Sequence, residues 1–227
     1  LLTVEDKNGK AYHHNFMSFN VSNALSANVI SVAPNQTSNA QWSLKNWEVL
    51  DGKKMNGTGR GFFEYEFKAD AKGSKSGYLL FELGAKQLFV KDREGMDIKD
   101  VNYMLGGLAA PSQNKNSYPM TDETEFSSEI NISINGVSVK NVILEDDPAD
   151  HRGVLSWFHQ LEDGTLNEAG SYGYLVKIPL NKSQIRGLSK TGTLKVKLET
   201  QGDGGIAVYG KDFGRYPFDP SLILNTK

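Results

Sequence analysis

The sequence predicts an all-β protein, a β-sandwich of the jelly-roll kind, and three observations lead there. Apolar and polar residues alternate with a period of two in several short runs. Gly, Asn, Asp and Pro, the residues that close turns, separate those runs. The strand–helix alternation that a parallel barrel needs does not occur. At 227 residues, with 11 Phe, 9 Tyr and 3 Trp to fill a core, the chain suits one large sandwich. Residues 1–227 are therefore read as a single domain.

The elements follow in order. Asn28–Val32 is a first strand candidate. Phe63-Glu64-Tyr65-Glu66-Phe67 alternates as a half-buried strand should, and Gly57-Thr58-Gly59-Arg60-Gly61 before it reads as the turn that feeds it. Tyr78-Leu79-Leu80-Phe81-Glu82-Leu83 is a nearly continuous apolar run, expected to be buried on both faces. Lys91–Phe126 is rich in Asp, Asn, Gly, Ser and Pro and is expected to be a long irregular insertion. Ile130–Ile134 and Val137–Val139 flank Asn135-Gly136, a strong hairpin signal. Val142–Leu144, Val154–Phe158, Tyr174–Ile178, Leu194–Leu198, Ile206–Tyr209 and Leu222–Leu224 complete the strands. Asn181–Leu188 is the one helix-like stretch. Phe63, Tyr65, Phe67, Leu80, Ile132, Ile134, Leu194, Val196 and Leu198 are expected in the core.

Composition excludes several functions. There are 25 basic and 27 acidic residues, mixed throughout, with no basic stripe for nucleic acid. Cysteine is absent, which removes disulfides, thiolate metal sites and a Cys nucleophile. No run approaches the roughly 18 apolar residues of a membrane span. The chain opens on Leu1-Leu2-Thr3-Val4 rather than Met and is read as a processed protein or an excised piece of a larger one, the excised piece being the preferred reading.

The last third concentrates the chemistry. Asp146-Asp147-Pro148-Ala149-Asp150-His151-Arg152-Gly153, Gly170-Ser171-Tyr172-Gly173 and Phe213-Gly214-Arg215-Tyr216-Pro217 place carboxylates, guanidinium groups and rings on glycine-rich connections. Rings stack on the apolar faces of pyranoses, and charged groups hydrogen-bond hydroxyls. Loops gather at the ends of a sandwich, so these three segments are expected to meet. Asp147, Asp150, His151, Arg152, Tyr172, Arg215 and Tyr216 are the ligand-binding candidates. Tyr172 and Tyr216 would flank Arg152 and Arg215, with Asp147 or Asp150 in pairing distance.

The order of these elements, with the Asn135-Gly136 hairpin, the strand ending in Pro179 and the Gly192-led strand, resembles the galactose-binding-like jelly roll. The loop segments resemble the C-terminal accessory module of bacterial family 2 glycoside hydrolases. That resemblance implies a sandwich assisting a polysaccharide-degrading enzyme, exported to the periplasm or cell exterior, with carbohydrate and the catalytic domain of the same polypeptide as partners. Family 2 catalytic residues lie on a (β/α)8 barrel, which this chain does not supply, so none is carried over.

Each site has a plainer alternative. Glu145, Asp146, Asp147, Asp150 and His151 form the densest polar cluster, but glycoside hydrolysis needs carboxyls about 5–5.5 or 6.5–9.5 Å apart across a bond. Neighbours in one loop seldom flank a bond from both sides, so acidic groups pairing with Arg152 and Arg215 is the preferred reading. A small β-fold glycosidase or lyase, and a purely structural domain, stay open beside it. No cofactor is expected; a structural calcium is the alternative, with Asp92, Asp97, Asp100 and Asp6-Lys7-Asn8-Gly9 as oxygen donors that match no twelve-residue calcium loop. His13-His14 face opposite sides of a strand and cannot share a metal, and His151 and His159 lack zinc spacing. Ser156 lacks the Gly-x-Ser-x-Gly elbow. At least one of Trp42 and Trp47, and Trp157 as well, is expected to anchor the core.

Overall fold

The computed structural model describes residues 2–5, 11–15, 27–87, 127–144, 173–214 and 216–226. Among the described residues the strands are β1 (Leu2–Glu5), β2 (Ala11–Asn15), β3 (Ala27–Ser31), β4 (Asn39–Trp42), β5 (Lys45–Val49), β6 (Lys54–Thr58), β7 (Gly61–Lys68), β8 (Ser76–Gly84), β9 (Ser128–Ile134), β10 (Val137–Leu144), β11 (Tyr174–Pro179), β12 (Thr193–Thr200), β13 (Ile206–Tyr209) and β14 (Ser221–Asn225). The helix α1 spans Lys182–Thr191. β1 and β2 pair as a hairpin. A five-stranded antiparallel sheet runs β10-β9-β12-β7-β4. A seven-stranded one runs β3-β14-β8-β13-β6-β5, with β11 added to β8. The two sheets face each other as a β-sandwich.

Alternation decides which side of each strand is inside. Phe63, Tyr65 and Phe67 of β7 pair in register with Leu198, Val196 and Leu194 of β12, and all six are buried. Ile130, Ile132 and Ile134 extend that face onto β9. Opposite them stand Leu79, Phe81 and Leu83 of β8, Ile206 and Val208 of β13, and Leu222 and Leu224 of β14. The Phe81 ring lies 5.8 Å from Tyr65 and 6.3 Å from Phe67, which joins the two layers. Each such side chain removed from water stabilises the fold by about 1.5–3 kcal/mol before entropy is counted. Tyr65 hides its hydroxyl in this core by donating to the Pro34 carbonyl at 2.7 Å, and burial pushes its phenol pKa far above the ordinary tyrosine value.

The turns behave as their residues dictate. Asn135 and Gly136 both take positive φ, +50° and +79°, the geometry of the tight hairpin turn expected there. The Asn135 side chain also accepts from the Lys195 amide at 2.9 Å, which seats the tip on β12. Asn181 caps α1 by accepting from the Gln184 amide, and the Gln184 side chain accepts from the Asn181 amide in return. Gly192 ends the helix in the left-handed region at φ +70°. The helix thus runs to Thr191, beyond the Leu188 expected to end the helix-like stretch.

Several expectations need correction. Leu80 is half-buried and points away from the core, because its neighbours Leu79 and Phe81 take the inward positions. Val137–Val139 and Val142–Leu144 belong to the single strand β10, whose register slips between Ser138 and Lys140. Gly57-Thr58-Gly59-Arg60-Gly61 is a shorter turn than its five residues imply. Gly57 and Thr58 end β6, Gly61 begins β7, and only Gly59 has a positive φ. Gly57 and Gly61 have a packing role instead: a Cβ on either would strike the Trp42 ring, at 2.0 and 2.7 Å. Trp42 fills that space and meets Phe63 at 4.8 Å, so of the two described tryptophans it is the one packed on the core, while Trp47 lies half-buried on the outer face. β4, β5 and β6 were not visible in the sequence, since none alternates cleanly. Val154–Phe158, Trp157 and the Lys91–Phe126 insertion lie outside the described residues.

Candidate functional site

β8 organises the site by changing partner along one edge. Ser76–Leu80 pairs with β14, and Glu82–Gly84 pairs with β13. Tyr209 is opposite Glu82 while Ser221 is opposite Leu80, so residues 210–220 leave the sheet between these two positions. Their loop is tightly closed. The Gly214 amide donates to the Gly210 carbonyl at 2.7 Å, and the Lys211 amide donates to Asp219 Oδ1 at 3.1 Å. On β8's other edge Leu175 of β11 is opposite Glu82, so the chain arriving at β11 passes the same spot.

Strand alternation sends Glu82 to the outer face, yet it is 0% exposed. Its Oε1 accepts from the Gly173 amide at 2.8 Å and its Oε2 from the Tyr216 amide at 3.0 Å. Gly214 lies so close that a Cβ there would sit 2.2 Å from Oε2. A buried carboxylate without hydrogen-bonding partners costs several kcal/mol, and these main-chain donors help to make its position tenable. Beside it in the same cross-strand row stand Tyr209 and Lys54, both buried. The Lys54 ammonium lies 4.5 Å from the Tyr209 ring centre and 5.5 Å from that of Phe213. Asn56 follows on the same face of β6, its Oδ1 buried without a hydrogen-bond partner. Past this sealed patch, Tyr216 and Phe218 stack at 5.8 Å with 27° between their planes, both half-buried.

Of the candidates read from sequence, Tyr216 is placed on this loop. Asp147, Asp150, His151, Arg152, Tyr172 and Arg215 lie outside the described residues, as do Glu145, Asp146, His159 and the calcium candidates. Gly173 and Tyr216, 43 positions apart in number and each beside a candidate ring or guanidinium, come together on one carboxylate. Glu82, Lys54, Tyr209 and Asn56 were missed. For Glu82 a signal existed: it is the one charge within the apolar run Tyr78–Leu83. Among the described residues no group of three or more His, Asp or Glu is placed to hold a metal ion. No helix among them is long and apolar enough to cross a membrane.

Comparison with known proteins adds structural likenesses. No family model matches the chain, and no curated protein matches it. Solved structures do. A family 35 carbohydrate-binding module from Clostridium thermocellum is 14% identical, covering 87% of this chain and 97% of its own, at a TM-score of 0.38. The family 35 module of Cellvibrio japonicus Abf62 is 11% identical, covering 89% and 95%, at 0.40. The family 51 module from Clostridium perfringens GH95, in complex with methyl-galactose, is 9% identical, covering 86% and 99%, at 0.33. At such identities and scores these likenesses carry nothing about ligand or activity.

Proposed function

We propose that this chain is a non-catalytic, carbohydrate-binding accessory module of a polysaccharide-degrading glycoside hydrolase. In this reading its partner is a catalytic domain of the same polypeptide, of the family 2 type. The parent is an exported bacterial protein working in the periplasm or outside the cell. The observation that supports the reading best is the Tyr216–Phe218 pair. Two half-buried, nearly parallel rings sit on a loop whose base is tied to the sheet through Glu82. Rings held in a set orientation suit the apolar face of a pyranose, with neighbouring polar groups left for its hydroxyls. Glu82 itself is sealed and bonded to main-chain amides, which makes it a fixture of the loop rather than an acid or base. A second reading is favoured by those same bonds: a structural clasp that packs on the catalytic domain without holding sugar.

Affinity gels and a glycan array with the purified chain separate the two. Tyr216→Ala and Phe218→Ala should each weaken retention about 2- to 10-fold, the worth of one stacking contact, with the thermal midpoint little changed. A chain that retains no glycan, or variants that unfold, would replace sugar binding with the clasp.

A further inference from the structure

We propose that Glu82 is the positioning residue of this surface, a latch that makes Gly173, at the head of β11, and the loop around Tyr216 move as one unit. The inference rests on the carbohydrate-binding reading only for its consequence at the ligand; the latch itself stands on geometry. The two carboxylate oxygens belong to one rigid planar group. Oε1 holds the Gly173 amide and Oε2 the Tyr216 amide, so the positions of the two segments are fixed to each other through a single side chain. That side chain has no freedom to follow one partner away from the other. It is 0% exposed, its strand is paired on both edges, and Gly214 is pressed against Oε2. Of the two segments, the one held by Oε2 carries the ring of Tyr216. A sugar that orders one of them therefore orders the other.

A carboxylate is needed for this, and an amide of the same shape does not suffice. Both main-chain amides donate, so the site calls for two acceptors; glutamine offers one acceptor and turns a donor toward the other N–H. Gly214 gives an independent handle. Its φ is outside the positive region, so Ala is tolerated by the backbone, yet the new Cβ presses on Oε2.

The test is amide hydrogen exchange on the full chain, read residue by residue, together with affinity gels of arabinogalactan, xylan and mannan. In Glu82→Gln the Gly173 or the Tyr216 amide should exchange at least about tenfold faster, while the Val196 amide in the middle of β12 keeps its rate. Retention of whichever polysaccharide the wild type holds should fall by a similar factor. In Gly214→Ala the perturbation starts in one segment, and the Gly173 amide in the other should still exchange faster. If Gly214→Ala speeds Tyr216 alone, or if Glu82→Gln leaves both amides at wild-type rates, the latch is overturned. If both amides loosen and retention is unchanged, Glu82 fastens the loops without positioning anything for a ligand, and the proposal fails there. A wild type that holds none of the three polysaccharides counts against the sugar reading, while the exchange rates still decide the latch. Should Glu82→Gln not fold, the Gly214→Ala arm decides alone.

Discussion

The two sheets share a core, but their outer faces are built on different terms. On the five-stranded sheet the outward side chains form an open lattice. Lys197 pairs with Glu199 at 2.7 Å and covers the Phe62 ring at 4.2 Å, and Asn131 donates to Asn141 at 2.7 Å. On the seven-stranded sheet the outward positions include Lys54, Asn56, Thr58, Glu82 and Tyr209, all buried. One face meets water and keeps its polar groups solvated. The other takes polar groups out of water, so that they call for partners such as those of Glu82, and Asn56 Oδ1 lies buried without one. Gly173 and Tyr216 meet the second face at Glu82, where burial of a carboxylate makes position matter.

The core itself gives the largest test of that division. Phe81→Ala should cost about 3–5 kcal/mol, because it empties the contact between the layers, whereas the outward Leu80→Ala should cost about 1–2 kcal/mol. Denaturant unfolding of both variants checks this, and equal losses would mean the β8 register is misassigned. Two lysines then sharpen the comparison of faces, since each sits over an aromatic ring. Lys54 is 3% exposed and 4.5 Å from Tyr209; the Lys197 side chain is 30% exposed and 4.2 Å from Phe62. Lys54→Ala should cost about 2 kcal/mol and Lys197→Ala about 0.5–1 kcal/mol, the difference between a desolvated and a wet cation–π contact. A thermal melt that ranks them the other way would break the distinction between the faces.

The smallest expected effect is set by pH. The folded Tyr65 phenol titrates well above its unfolded value of about 10, because burial disfavours the phenolate. Its contribution is therefore complete below pH ~10 and is lost as pH rises beyond that, when the unfolded state gains by ionising. Tyr65→Phe should lose about 1 kcal/mol at neutral pH with its bond to Pro34, and should show a shallower decline above pH ~10. An alkaline profile unchanged by the substitution would show that other groups govern it.

What could be read from residues alone was local. Phe63–Phe67, Ile130–Ile134 and Leu194–Leu198 announced themselves because each has one wet face and one buried face, so the pattern of two survives in the letters. Asn135-Gly136 and the Asn181 cap are equally local, each decided by a few adjacent residues. The candidate site was legible only as glycine-rich segments carrying rings and charges, with Tyr216 the one placed among the described residues.

Tertiary structure decided the rest, and distance along the chain is the physical reason. Gly57 and Gly61 look like turn residues until Trp42 is brought against them, and their missing side chains then become space for its ring. Glu82 looks like an ordinary interruption in an apolar strand. Its burial is supported by amides 91 and 134 positions further on, at Gly173 and Tyr216, and no window of neighbouring residues contains them. A strand's inward face depends on its own alternation, whereas a buried charge depends on donors that only the folded chain brings to it.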